Sequence, residues 1–173
     1  MEPIEVFKFN PLNGNKLVGK SENLLVDEKT GFHYYISPKP TVNVLIVNDN
    51  QEILMTKRGI DPGKDNWDLP GGFVDIGETL EEAVKREINE ELRGEVKKIE
   101  YFGSFLNRYE YCGVNYHIVD VSFLVKLKTL RGLKPKDDVA GFKFFKLDKI
   151  PFDRISFCSI REVLKQYLKR NGF

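Results

Sequence analysis

The chain has 173 residues, 41% of them apolar and 31% charged, with 27 lysines and arginines against 26 acids. That length suits one domain with a small appendage, the apolar content excludes a disordered chain, and the near-zero net charge removes any bulk electrostatic case for binding nucleic acid or a membrane. The opening "MEPIEVFKFN" has no basic segment leading into an apolar one, and the longest apolar runs are strand-sized, as in "VLIV". A cytoplasmic protein with no membrane association is therefore expected.

In chain order, residues 1–38 read as an N-terminal segment with room for a β-hairpin. The runs "TVNVLIV" and "EILMTKR" then read as two strands joined by the turn-rich "NDNQ", a second hairpin. A loop rich in Gly, Pro and Asp, "RGIDPGKDNWDLPGGFVDIGE", leads to a helix that Thr79 can cap, with Glu82 as capping-box partner and Gly94 as left-handed terminator. Two β-rich segments follow, "VKKIEYFGSFLNRYEY" and "NYHIVDVSFLVKL", then a basic loop and the strand-like "VAGFKFFKL". The final stretch places Ile160, Val163, Leu164, Tyr167 and Leu168 at helical spacing and ends at Gly172. A mixed sheet with helices packed on it is the fold class expected. Cys112 and Cys158 stand among apolar and aromatic neighbours and are expected as reduced packing thiols. His33 and His117 are isolated and receive no role.

The stretch "REINEE", Arg86 to Glu91, carries the chemistry. On a helix advancing about 100° per residue, with Leu80 at zero, Glu91 falls near roughly 20° and Glu87 near roughly 340°, inside the stripe formed by Leu80, Ala83, Val84, Ile88 and Leu92. Glu90 flanks that stripe. Carboxylates crowded at a partly buried seam repel one another and lose hydration, so a cation must compensate. Arg86 alone cannot neutralise three. An all-oxygen cluster without a nearby His or Cys suits Mg²⁺ or Mn²⁺ rather than zinc, which points to phosphate chemistry.

Laid end to end, "GGFVDIGETLEEAVKREINEELRG" resembles the signature of the Nudix hydrolase family, with Gly72, Glu78, Arg86, Glu87, Ile88, Glu90 and Glu91 at the required spacing. The surrounding "WDLPGG" and "DDVAGFKFFKLDKIP" are also similar, so the resemblance spans roughly residues 41–170. One departure is that the family's closing glycine would fall at Arg93 and its aliphatic at Gly94, which suggests a helix one residue longer. The resemblance implies an α/β/α sandwich with a mixed β-sheet over residues 39–173. It implies that Glu87, Glu90, Glu91 and the Gly72 carbonyl ligate the divalent ions, that Arg86 orients the carboxylates and that Glu78 supports it. The implied reaction is attack by activated water on a phosphorus of a nucleoside diphosphate joined to another group. The resemblance leaves the general base open between a glutamate of the helix and a later loop acid, Glu110, Asp137 or Asp138, with Asp138 ranked ahead of Glu110 for its place before the last strand.

A second resemblance concerns residues 1–38. "FKFNPLNG" followed by "LLVDEKTGFHYYISPKP" is similar to the zinc ribbon of NADH pyrophosphatase-like Nudix proteins, with Asn10, Asn13, Asp27 and Thr30 where four cysteines would stand. Asn and Thr are poor zinc ligands, so no zinc is expected. An ordinary β-hairpin is the other reading of this segment.

The resemblance implies a nucleotide-type small-molecule substrate such as ADP-ribose or a dinucleoside polyphosphate, no specific nucleic acid, and a homodimer in keeping with many relatives. NADH ranks lower, because "FLNRYEYCG" stands where NADH-cleaving relatives carry their own string. Tyr109, Tyr111 and Trp67 are open between packing and base stacking. The basic residues Lys126, Lys128, Arg131, Lys134 and Lys136 are open between a solvated loop and a polyanion attractor. From a different class, a nucleotide-sensing domain of the same fold is the alternative, and the intact glutamate set argues against it. An isomerase-type member would need a Cys and Glu pair that has no place here.

Overall fold

The computed structural model describes residues 1–173, which divide into two compact units: Met1–Lys39 with Arg108–Ile118, and Pro40–Asn107 with Val119–Phe173. No helix is long and apolar enough to cross a membrane.

The first unit opens with a single helical turn, α1 (Pro3–Val6), followed by β1 (Val18–Ser21), β2 (Leu24–Asp27) and β3 (Phe32–Tyr35). These three strands form an antiparallel sheet with β2 in the middle, one strand more than the hairpin expected. Two other strands are much longer: β8 (Val96–Tyr111) and β9 (Val114–Leu127) form a hairpin that turns through Cys112 and Gly113. Both turn residues have positive φ, 49° and 77°, the conformation a two-residue hairpin loop requires. The tip of this hairpin belongs to the first unit. There the Glu2 carboxylate lies 2.9 Å from His117 Nε2 and 3.6 Å from Arg108 Nη1.

In the second unit, β4 (Lys39–Ile46), β5 (Glu52–Arg58), β6 (Trp67–Asp68) and β7 (Gly71–Phe73) precede α2 (Leu80–Leu92), and β10 (Val139–Lys146) precedes α3 (Cys158–Arg170). The expected hairpin of β4 and β5 is corrected: the two strands separate into different sheets, ordered β7-β4-β9-β8 and β10-β5-β6. Beyond the Asn48–Gln51 turn they share one isolated bridge, Val47 to Ile53. Burial on both faces explains why neither strand alternates in the sequence. Val42, Val44 and Ile46 of β4 and Leu54 of β5 join Ala83, Val84, Ile88 and Leu92 of α2 in one core. Leu45, Ile53 and Met55 point the other way, to Ile160, Val163, Leu164 and Tyr167 of α3. The strands thus lie between two helices, the α/β/α arrangement expected.

The cysteines depart from expectation. Both are free but exposed. Cys112 sits in the tight hairpin turn, and Cys158 is the first residue of α3 with Sγ 3.6 Å from Asn107 Oδ1.

Candidate active site

α2 begins as its sequence directs. Thr79 Oγ1 accepts from the Glu82 N–H at 3.2 Å and Glu82 Oε2 accepts from the Thr79 N–H at 2.8 Å, closing the capping box. The helix end differs. Arg93, not Gly94, takes the left-handed conformation (φ 55°, ψ 30°), and the Gly94 N–H reaches back to the Ile88 carbonyl. Gly94 has another use: a Cβ there would lie 2.9 Å from Ile88 Cγ2 and 3.3 Å from Leu127 and Leu133, so glycine permits close packing. Two further carbonyls of the last turn are closed from a distance. Glu91 O accepts from the Lys136 N–H and Leu92 O from the Lys134 N–H, at 2.9 and 3.0 Å.

The inward rotation read from the helical wheel holds. Glu91 is buried at 9% exposure, the Glu87 side chain is 12% exposed, and that of Glu90, on the flank, is 46% exposed. Arg86 ties them together. Its Nη1 donates to Glu87 Oε1 at 2.8 Å and Glu90 Oε2 at 3.0 Å; its Nε and Nη2 donate to the two oxygens of Glu78 at 2.9 and 3.0 Å; Nη2 also reaches the Phe73 carbonyl. Glu78, so paired, is held below the usual carboxylate range. Gly71 and Gly72 of β7 bring the backbone up to this cluster. The Gly71 N–H donates to Glu91 Oε2 at 3.1 Å, and a Cβ on Gly72 would overlap the Glu87 carboxylate.

Sequence reasoning missed a second charged pair. Asp68 Oδ2 lies 3.1 Å from Arg58 Nη1, and both side chains are largely buried. Arg58 also donates Nε to the Pro62 carbonyl at 2.6 Å and covers the Phe157 ring. Burial pushes Asp68 up to about 6 against the pull of Arg58. The signal was the register: Thr56 pairs with Asp68 across β5 and β6, and such pairing is not visible without the fold. Trp67 anchors this loop, edge-on to Phe145 at 4.8 Å, its carbonyl accepting from the Ser156 N–H.

Two other acids repel Glu91 through low-dielectric surroundings. Burial, then the charge of Glu87, then Asp68 raise Glu91 well above the ordinary value, against the Gly71 hydrogen bond and Arg58. Burial raises Glu87 against Arg86. As they stand, no three acidic, His or Cys side chains are gathered into a ready ligand set, because Arg86 holds Glu87 and Glu90 while Glu91 turns to Gly71. The donor chemistry nonetheless fits a hard divalent ion: oxygen donors only, with one carboxylate buried and uncompensated by any hydrogen-bonded cation.

Of the candidate bases, Asp137 and Asp138 are exposed on the loop whose backbone closes α2, and the Asp138 carbonyl accepts from the Gly59 N–H at 2.6 Å. Glu110 and Tyr111 are exposed at the hairpin tip of the first unit, with Tyr109 half-buried there. The side chains of Lys134 and Lys136 are exposed on the loop beside α2.

A family model described as the NUDIX domain matches residues 37–165. An ADP-ribose pyrophosphatase of Methanocaldococcus jannaschii is 36% identical over 145 residues, covering 82% of this chain and 80% of that protein. An NAD-capped RNA hydrolase NudC of Pseudomonas aeruginosa is 26% identical over 151 residues, covering 87% of this chain but only 51% of the relative. The crystal structure of a NUDIX hydrolase from Nitrosomonas europaea superposes with a TM-score of 0.72 at 25% identity, over 96% of this chain and 94% of that one. With the family model running through the two sheets of the second unit and the whole glutamate helix, the chain belongs to the Nudix hydrolase family.

Proposed function

We propose that the protein is a divalent-metal-dependent pyrophosphohydrolase that cleaves a nucleoside diphosphate joined to a second moiety, with ADP-ribose the first substrate to test. The observation that carries this reading is the buried Glu91 carboxylate, facing Glu87 without a cation hydrogen-bonded to it. The relative from M. jannaschii, named for ADP-ribose and similar over most of both chains, supports the choice of substrate.

In this reading Glu87, Glu90, Glu91 and the Gly72 carbonyl hold Mg²⁺ or Mn²⁺. Such an ion, when bound, neutralises the diphosphate and acidifies a water molecule. The chain's own residues do the rest. Arg86, locked by Glu78 in a two-point pair, fixes the rotamers of Glu87 and Glu90 and spaces them. Gly71 orients Glu91 through its N–H. Asp138, on a loop pinned by backbone hydrogen bonds to α2 and to Gly59, is the residue assigned to take the proton of the attacking water.

Two measurements test this. Purified protein with Mg²⁺ or Mn²⁺ is offered ADP-ribose, NADH, diadenosine polyphosphates, nucleotide sugars and nucleoside triphosphates, and the phosphate-terminated products are counted. Metal-dependent turnover of ADP-ribose is the expected result; binding without turnover of any compound would turn the reading to a nucleotide sensor. In the second, Gly72→Ala pushes a methyl into the Glu87 carboxylate. A displacement of that carboxylate should cost roughly 10²-fold in kcat, while circular dichroism shows a folded chain.

A further inference from the structure

The first unit contains two turns built alike. In one, Asn10-Pro11-Leu12-Asn13 is followed by Gly14 at φ 74°, whose N–H bonds to the Asn10 carbonyl at 2.8 Å. In the other, Asp27-Glu28-Lys29-Thr30 is followed by Gly31 at φ 73°, whose N–H bonds to the Asp27 carbonyl, also at 2.8 Å. The third residue of each turn donates its N–H to the side-chain oxygen of the first: Leu12 to Asn10 Oδ1 and Lys29 to Asp27 Oδ1, both at 3.0 Å. The first and fourth side chains of both turns meet at one point, the Asp27 carboxylate. Asp27 Oδ2 accepts from Asn10 Nδ2 at 2.9 Å, Asn13 Nδ2 at 3.2 Å and Thr30 Oγ1 at 2.8 Å, with Asn15 Nδ2 adding a fourth bond at 3.0 Å.

Paired turns with side chains at first and fourth positions converging on one centre are the geometry of a tetrahedral metal site with two ligands from each turn. The residues present do not fit a metal. Zinc needs anionic or lone-pair donors turned inward, whereas here three amides and one hydroxyl turn their hydrogens inward. The amides cannot simply rotate, since the Asn10 and Asn13 oxygens are already engaged by the Leu12 and Asn15 N–H groups. Asp27 is wholly buried, and its charge is satisfied five times over.

We propose that the first unit is organised around a carboxylate in place of a metal ion: Asp27 occupies one corner of a four-position centre whose polarity is inverted, an anion ringed by donors. The unit then holds together without zinc, and removal of divalent ions stops hydrolysis without loosening it.

The test uses the full chain. Protein produced in zinc-supplemented medium and analysed for bound metal should carry no stoichiometric zinc, and its melting curve should not move with a chelator. One zinc per chain would overturn the proposal. The variant Asn10→Cys/Asn13→Cys/Asp27→Cys/Thr30→Cys should acquire one zinc per chain, and cobalt in its place should show thiolate charge-transfer absorption. A folded quadruple variant with no metal affinity would also overturn it. If that variant does not fold, Asp27→Ala decides: it should melt lower by on the order of 10 °C, with zinc giving no rescue. An unchanged melting temperature would show that the carboxylate organises nothing.

Discussion

Glu91→Gln is expected to lose hydrolysis by at least about 100-fold, since even residues that only support a metal ligand cost about 10- to 100-fold, and yet to melt higher than the parent chain in metal-free buffer. The two effects share a cause. Glu91 is buried beside Glu87 and Asp68, and this raises its pKa, so its ionised form costs stability at neutral pH. The amide keeps an oxygen for the Gly71 N–H and removes the charge. A carboxyl group raised on folding binds its proton more tightly in the folded chain than in the unfolded one. The stability owed to Glu91, Glu87 and Asp68 therefore falls as pH rises from the ordinary carboxylate range through their raised values, about 6 for Asp68. Asp27 works in the opposite sense: burial opposes its ionisation, but the bonds from Asn10, Thr30, Asn15 and Asn13 prevail and hold it low, so it loses stability only as pH falls well into acid. Melting curves at pH 5 and pH 7.5, as approximate test points, should show Glu91→Gln flattening the loss between them. A variant that melts lower than the parent at both would contradict this account.

Gly71→Ala should be the most damaging single methyl in the second unit. Gly71 has φ 145°, a region closed to side chains, and a Cβ would overlap the Val42 carbonyl oxygen and lie 2.8 Å from Asn43 Cα. Both obstacles are backbone of the central strand β4, which has a neighbour on each edge and cannot step aside. The cost should be about 3 kcal/mol or more, a fall in melting temperature of roughly 10 °C. A second effect follows at the site: the Gly71 N–H that orients Glu91 would move with its strand, so activity should fall further than the unfolded fraction explains. Chemical denaturation and kcat on the same preparation separate the two.

The parts of this molecule legible in the sequence are those governed by local rules. The rotation per residue placed Glu87 and Glu91 inward, and the pair Thr79 and Glu82 marked the start of α2, because each depends on residues at most one or two turns apart. The resemblance to a zinc ribbon, and no local rule, pointed to Asn10, Asn13, Asp27 and Thr30, whose side chains meet in the fold. What failed depends on partners remote in sequence. A short polar turn looks the same whether the next strand folds back in one sheet or leaves for another, so β4 and β5 were joined in error. The Arg58–Asp68 pair needs the β5–β6 register, and the glycine at 94, besides closing the helix end through its N–H, makes room for side chains from residues 127 and 133. Apolar neighbours suggested packed cysteines, but at a hairpin tip and at the first residue of a helix the chain carries them outward.

The closure of α2 by residues 134 and 136 bears on how the chain acquires its structure over time. The start of the helix is sealed by a residue three positions away; its last two carbonyls wait for N–H groups more than forty positions downstream, beyond the entire β8–β9 hairpin. A loop of that length must close before those bonds form, and loop closure between remote segments is slow relative to helix growth. On a ribosome, the carbonyls of Glu91 and Leu92 are made early and gain these partners late. The two bonds tie the last turn of the helix to the loop that carries Asp138, so the end of the glutamate helix and the loop of the proposed base are joined through their backbones.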